Sequence, residues 1–330
     1  MAQSKWDRVS AALEGGRPDK VPLTFWMHFP EVDRSARGLV RATLDLYRRY
    51  DLDLIKVMFR SSFGLEDWGV HFGSYHPTRG SWQTEEYVVH TPEDWGTIEV
   101  LPPDRGVLGE QLEVLSQLRK EVGPDVPVLA TLFSPSMLAV RLSGRARFLE
   151  HWRTHRDDVE RALKVIGETV MAFGLACLRA GADGIFYAIE LGSGRAMPHE
   201  EYSAIGERYD RPILAEIHER SRLTMLHLHG EDLAFSELVN YPSHVVNWYD
   251  RCAGPSLRDA RAVTSKCLAA GIDHERTLML DTPEEIASEV RAAVAEVDGR
   301  GLILAPGCGI PITVPERSLR ALVEARNSLA

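Results

Sequence analysis

Two histidines and a cysteine carry the most specific chemistry in this 330-residue chain. The stretch Leu223-Thr-Met-Leu-His-Leu-His-Gly230 reads as a short buried strand ending in His227 and His229. Alternate side chains of a strand share a face, so the two imidazoles point the same way. A second apolar strand, Gly301-Leu-Ile-Leu-Ala-Pro-Gly-Cys-Gly-Ile310, ends in a turn with Cys308 between two glycines. If the two strand ends meet, they offer two nitrogens and one sulfur. Three protein ligands with a fourth position open is the pattern of a catalytic zinc site. Taken singly the residues say less: a strand-end histidine is often only hydrogen-bonded, and a lone cysteine often packs as a small hydrophobe.

Bringing these ends together requires a particular scaffold. Strands are expected at 21–28, 53–59, 126–133, 183–190, 223–230, 245–250, 267–272 and 302–305. Helical spacing fills the intervals, at 39–50, 108–122, 155–182, 199–222, 256–265 and 314–329, with a shorter turn at 234–240. Thr282-Pro-Glu-Glu opens a further helix to about 298 in a capping-box pattern. Such alternation argues for a parallel sheet, and eight rounds of it for an α/β fold closed as a (β/α)8 TIM barrel. A barrel of this kind needs about 250 residues. The surplus goes to an N-terminal helix at 4–14 and a long insertion after strand 2, residues 61–106, with a hairpin expected at 81–90. The whole chain, 1–330, reads as one barrel domain.

Barrel enzymes place their chemistry at the C-terminal strand ends. His28, Arg60, Ser134, Glu190, His227, His229, Asp250 and Cys308 all fall there. Glu190 and His28 are the catalytic candidates beside the metal set. Glu190 fits a base, a residue orienting a histidine, or a fourth ligand; in the bland reading it is a solvated carboxylate in a Gly-rich loop. Arg60, Asp250 and Trp26 are the substrate-binding candidates, and Arg34 and Arg37 are further candidates for meeting a carboxylate. Gly192 and Gly194 lack a third glycine at dinucleotide spacing.

The totals narrow the function class. A net charge of −10 argues against nucleic acid and anionic membranes as partners. Four cysteines far apart in sequence, Cys177, Cys252, Cys267 and Cys308, read as free thiols in a reducing cytoplasm. The N-terminus has no apolar signal core, and no apolar run is long enough to span a bilayer.

At this point the residues resemble a known family. Arg8-Val-Ser-Ala-Ala-Leu-Glu-Gly15 through Asp19-Lys-Val-Pro22, the strand Leu226-His-Leu-His-Gly230, Thr282-Pro-Glu-Glu285 and the tail 301–311 look like the uroporphyrinogen decarboxylase superfamily. That resemblance implies a barrel with its site in the C-terminal mouth. It also implies one of two chemistries: cofactor-free decarboxylation of porphyrinogen acetates, or zinc-dependent methyl transfer. The second is the work of the methylcobamide:thiol methyltransferases and, more distantly, of cobalamin-independent methionine synthase. The decarboxylases carry an Arg-Gln-Ala-Gly-Arg-Tyr run after strand 1, where this chain has Trp26-Met-His-Phe-Pro-Glu-Val-Asp-Arg34. They also place an aspartate at the end of strand 2, where Met58 stands here. Both departures point to the methyltransferase branch. Its zinc ligands, His-x-Cys on strand 5 and a Cys after strand 8, fall on His227, His229 and Cys308, with His229 in place of a cysteine. Asp250 is nearest to the strand-6 glutamate ligand of the methionine synthases. The resemblance implies Zn2+ as cofactor and a small-molecule thiol or similar nucleophile as acceptor. The methyl group would come from a methylcorrinoid protein, a folate or a methoxylated compound, and a homodimer is the common assembly. Decarboxylation of a carboxylated ring, and a non-catalytic relative that binds a tetrapyrrole or corrinoid partner, are the alternatives.

Overall fold

Seven parallel strands curl into one sheet in the order β1-β4-β5-β6-β7-β8-β9. They are β1 Ile55–Lys56, β4 Val128–Phe133, β5 Gly184–Ile189, β6 Leu223–Leu228, β7 Val245–Trp248, β8 Cys267–Ile272 and β9 Leu302–Pro306. β2 His71–Tyr75 and β3 Trp82–Glu86 form a separate antiparallel hairpin. The structure, a computed structural model, describes residues 3–280 and 282–329. Every residue of β5, β6, β7, β8 and β9 is buried. Strands covered on both faces read as near-continuous apolar runs, which is why they were visible in the sequence.

The expected strand at 21–28 is not a regular strand, yet it closes the barrel. Leu23 bridges Leu304 in parallel. Thr24 N donates to Leu304 O at 3.0 Å, and Leu304 N donates to Pro22 O at 2.8 Å. On the other side Asp53 N donates to Leu23 O at 2.8 Å. Pro22 has no amide hydrogen, so the ladder cannot extend through it as a full strand. The result is a TIM-barrel fold in which an irregular eighth stave joins β9 to the chain entering β1.

The outer layer holds long helices, among them Ala36–Tyr50, Gly106–Val122, Arg156–Arg179, Pro283–Glu296 and Glu316–Asn327. A helix at Arg145–Thr154 was not expected; Gly144, at φ +83°, separates it from Pro135–Ser143. The hairpin lies earlier than the expected 81–90, its first arm being β2 and its turn centred on residues 76–81, where His76 N donates to Ser81 O at 2.8 Å. The capping box expected at Thr282 does not form; its hydroxyl donates to Glu285 Oε2 instead, at 3.1 Å. A true box starts the N-terminal helix Lys5–Leu13, from Ser4 and Asp7.

That N-terminal helix decides which end of the barrel is open. Its apolar face, Trp6, Val9 and Ala12, packs into the interior layer with Leu54, Leu223, Val245 and Ile303. The end at which the strands begin is thereby plugged. Below the plug, the fully buried Asp53 carboxylate accepts from Arg8 Nη1 at 3.1 Å, Arg326 Nη1 at 2.6 Å and Leu23 N at 2.9 Å. One carboxylate thus ties the first helix, the last helix and the closing stave. Removing it strands the buried Arg326 guanidinium and leaves Arg8 with Asp19 as its one carboxylate partner, which costs more than the pair itself contributes. We expect Asp53→Ala to lower unfolding stability by about 3–5 kcal/mol in denaturant titrations, with metal content of the surviving folded protein unchanged.

Candidate metal centre

β6 and β9 deliver their ends to one point. Ligand atoms of His227, His229 and Cys308 lie within 4.8 Å of one another, the one such group of metal-binding residue types among the described residues. Glycines permit the approach. A Cβ on Gly307 would stand 2.6 Å from the Tyr249 ring and 3.2 Å from Trp248 O, so only glycine lets the β9 end lie against β7. Gly230 turns the chain away after His229 at φ +97°, a conformation that L side chains rarely adopt.

The chemistry of His227 is fixed by its neighbour in register on β7. Asn247 is fully buried, and its Nδ2 donates to Ala269 O at 2.6 Å and to Pro306 O at 3.0 Å. Two carbonyls can only accept, so the amide nitrogen must face them and the oxygen must face the histidine. Asn247 Oδ1 stands 2.6 Å from His227 Nδ1. His227 Nδ1 is therefore the protonated nitrogen, and Nε2 keeps its lone pair for a ligand. Phe186 stacks against the same ring, with centroids 4.9 Å apart at 26°.

His229 Nδ1 faces the sulfur. Cys308 Sγ is 3.8 Å away, and the Tyr249 hydroxyl is 3.0 Å from the same nitrogen. Burial alone would push the Cys308 thiol up, but the two imidazoles bring it well below the ordinary thiol range. Burial likewise opposes charge on His229, and the sulfur's negative charge overcomes it and raises that imidazole. The two groups therefore shift toward each other, the imidazole up and the thiol down. Two imidazoles and a ready thiolate suit a borderline-soft divalent ion, and three donors leave a coordination position open.

These residues sit in a cavity of about 1090 Å3 at the C-terminal mouth. Trp26, His28 and Glu190 also line it, as expected from the sequence. His28 is held neutral: burial, then the positive charge of Lys56, pushes its imidazolium down to about 3, and its Nδ1 has no hydrogen-bond partner. Glu190 is ion-paired with Arg145. Arg60 and Asp250 are corrected. Arg60 is buried outside the cavity between Glu66 (3.1 Å) and Glu110 (3.1 Å), which consume its charge. Asp250 faces away from the ligand set, accepting from Gly271 N at 3.1 Å and pairing with Arg251 at 2.8 Å. Arg34 stacks over Trp82 and Arg37 is exposed, so neither lines the mouth.

The sequence reading missed Asn247 behind His227 and, on the cavity wall, Tyr249, Lys56 and Arg141 among others. Asn247 and Tyr249 share the inward face of β7 by simple alternation, a signal the sequence offered beside Asp250. Lys56 and Arg141 gave none, because a lysine in a strand and an arginine in an amphipathic helix read as solvated. If Asn247 sets the His227 tautomer, Asn247→Ala should weaken metal binding about tenfold to a hundredfold in competition with a chromogenic chelator, with the far-ultraviolet dichroism of the wild type retained.

Comparison with known proteins agrees with this architecture. The family model described as uroporphyrinogen decarboxylase (URO-D) matches residues 5–329. A methylcobamide:CoM methyltransferase, MtaA, of Methanosarcina barkeri (strain Fusaro / DSM 804) is 27% identical, over 97% of this chain and 96% of the relative. MtbA of Methanosarcina acetivorans, also a methylcobamide:CoM methyltransferase, is 26% identical over 72% of this chain and 69% of its own. Among solved structures, a methyltransferase from Methanosarcina mazei superposes with a TM-score of 0.84 at 21% identity, covering 99% of both chains. A B12-independent methionine synthase from Shewanella sp. W3-18-1 gives 0.59 at 16% identity, covering 95% of this chain and 96% of the other. At such identities the structural likenesses speak for the fold, and the family match, running almost end to end, speaks for descent: the chain belongs to the uroporphyrinogen decarboxylase family.

Proposed function

We propose that this enzyme, a methyltransferase of the uroporphyrinogen decarboxylase family, uses zinc held by His227, His229 and Cys308 to move a methyl group to a thiol or similar nucleophile. The observation that carries the reading is the convergence of the three donor atoms within 4.8 Å in an open mouth. It is supported by two relatives whose names describe methylcobamide:CoM methyl transfer.

When bound, zinc supplies Lewis acidity that favours the thiolate form of an acceptor at neutral pH. The protein's own groups do the rest. Asn247 holds His227 in the tautomer that leaves Nε2 free. Tyr249 keeps its hydroxyl beside His229 Nδ1, and burial pushes that phenol well above its usual range, so it serves as a proton-bearing donor. His28, neutral at physiological pH, offers a hydrogen bond to an entering group without adding charge. Glu190, fixed by Arg145, orients the substrate at the rim.

The size of the mouth supports a large second reactant. At about 1090 Å3 it exceeds what a short acceptor fills. The remaining space suits the face of a methylcorrinoid presented by a partner protein better than a second small molecule. Decarboxylation has less support, because the end of β1 presents Lys56 and Met58 to the cavity and no carboxylate. Among the described residues no helix is long and apolar enough to cross a membrane.

Elemental analysis of untagged protein should find close to one zinc per chain. Cys308→Ala and His227→Ala should each abolish stoichiometric metal, and Arg37→Ala should keep it. Full metal in both ligand variants would contradict the assignment.

A further inference from the structure

The six lysines of the chain meet different surroundings. Lys5 and Lys20 pair with Asp51, and Lys120 and Lys164 are exposed. Lys266 is half-buried just before β8, where its ammonium donates to Tyr241 O and, at 2.9 Å, to Ser243 Oγ. Lys56 differs from all five. It ends β1, its side chain is buried, and it lines the mouth. The partners of its nitrogen are a thioether and two rings: Met58 Sδ at 2.9 Å, the Phe186 ring centre at 4.4 Å and the Trp26 ring centre at 5.4 Å. Among the described residues no carboxylate pairs with it. The carboxylates that line the mouth, Glu190, Glu231 and Glu275, are each held by an arginine.

Rings and a thioether compensate a desolvated ammonium far less than water or a carboxylate does. The uncharged amine gives up little in such surroundings. Its lone pair also stays free, because the contact with Met58 uses an N–H. Burial accordingly lowers the ammonium to about 7, although the charge of Cys308 acts to raise it. A desolvated lysine on the wall of a barrel mouth is a nucleophile towards a carbonyl carbon. The walls beside this one are hydrocarbon and sulfur, which fit an apolar substituent.

We propose that Lys56 is a second reactive centre of the mouth, a nucleophilic amine that forms an imine with small aldehydes bearing an apolar substituent. The nitrogen lone pair attacks the carbonyl carbon, and the C=O π electrons move to the oxygen, giving a carbinolamine. That oxygen then leaves as water with both amine hydrogens, and a C=N bond remains. The step needs no oxidant or reductant. The substituent packs against Trp26, Met58 and Phe186, the three side chains around the nitrogen. The inference goes beyond the proposed methyl transfer and does not rest on it, because Lys56 is not among the zinc-ligand residues and imine formation uses none of them.

Reductive trapping tests this. The full chain is incubated near neutral pH with butanal and sodium cyanoborohydride, and its lysine peptides are followed by mass spectrometry over time. The Lys56 peptide should gain the butyl group about tenfold to a hundredfold faster than the Lys120 and Lys164 peptides, whose exposed amines are almost wholly protonated at that pH. Lys56→Arg should lose the fast adduct. A Lys56 peptide that labels no faster than Lys120 overturns the proposal, as does a fast adduct that persists in Lys56→Arg. Should that variant not fold, the wild-type peptide map decides by itself. Lys266 labelling as fast as Lys56 also overturns it, since reactivity would then follow partial burial and owe nothing to the mouth. Chelated and zinc-loaded protein should label alike. Trapping that disappears on chelation counts against an independent amine site, whereas trapping in a protein that never binds zinc leaves this proposal standing and removes the metal assignment.

Discussion

The amide of Asn247 is the constraint on which the site depends. Its two hydrogens are taken by carbonyls of β8 and β9, so its oxygen has one orientation. That orientation assigns the proton on His227 to Nδ1 and leaves Nε2 with its lone pair. The same side chain reaches from the β6 histidine across β7 to Pro306, just before Cys308. A neutral group therefore sets the tautomer of His227 and ties β6, β8 and β9 together by hydrogen bonds. An aspartate would reverse the logic, offering only acceptors to carbonyls that need a donor.

The barrel around this amide is open at one end by construction. The N-terminal helix fills the lower end with Trp6, Val9 and Ala12, and the Asp53 cluster locks that plug to the last helix. At the other end the β2–β3 hairpin forms a wall, tethered where Ile312 N donates to Thr78 O at 2.8 Å. His227, His229 and Cys308 line the cavity on that side. The insertion after β1 thus carries functional weight, as long excursions in compact domains commonly do.

What could be read in the sequence follows from what has a period. Buried parallel strands are apolar runs, so seven of eight staves and the ends bearing His28, Glu190, His227, His229 and Cys308 were legible. The first stave was legible as an apolar run but not as an irregular one, because its hydrogen bonds depend on Pro22 and on β9, far away in sequence. Arg60 and Asp250 sit at strand ends as the barrel rule demands, yet position along a strand does not say which way a charge turns. Glu66, Glu110 and Arg251 decide that, and they are known only once the chain is folded. Lys56 and Arg141 failed in the opposite direction. Both line the mouth, and neither a lysine on a strand nor an arginine on a helix carries a motif that says so.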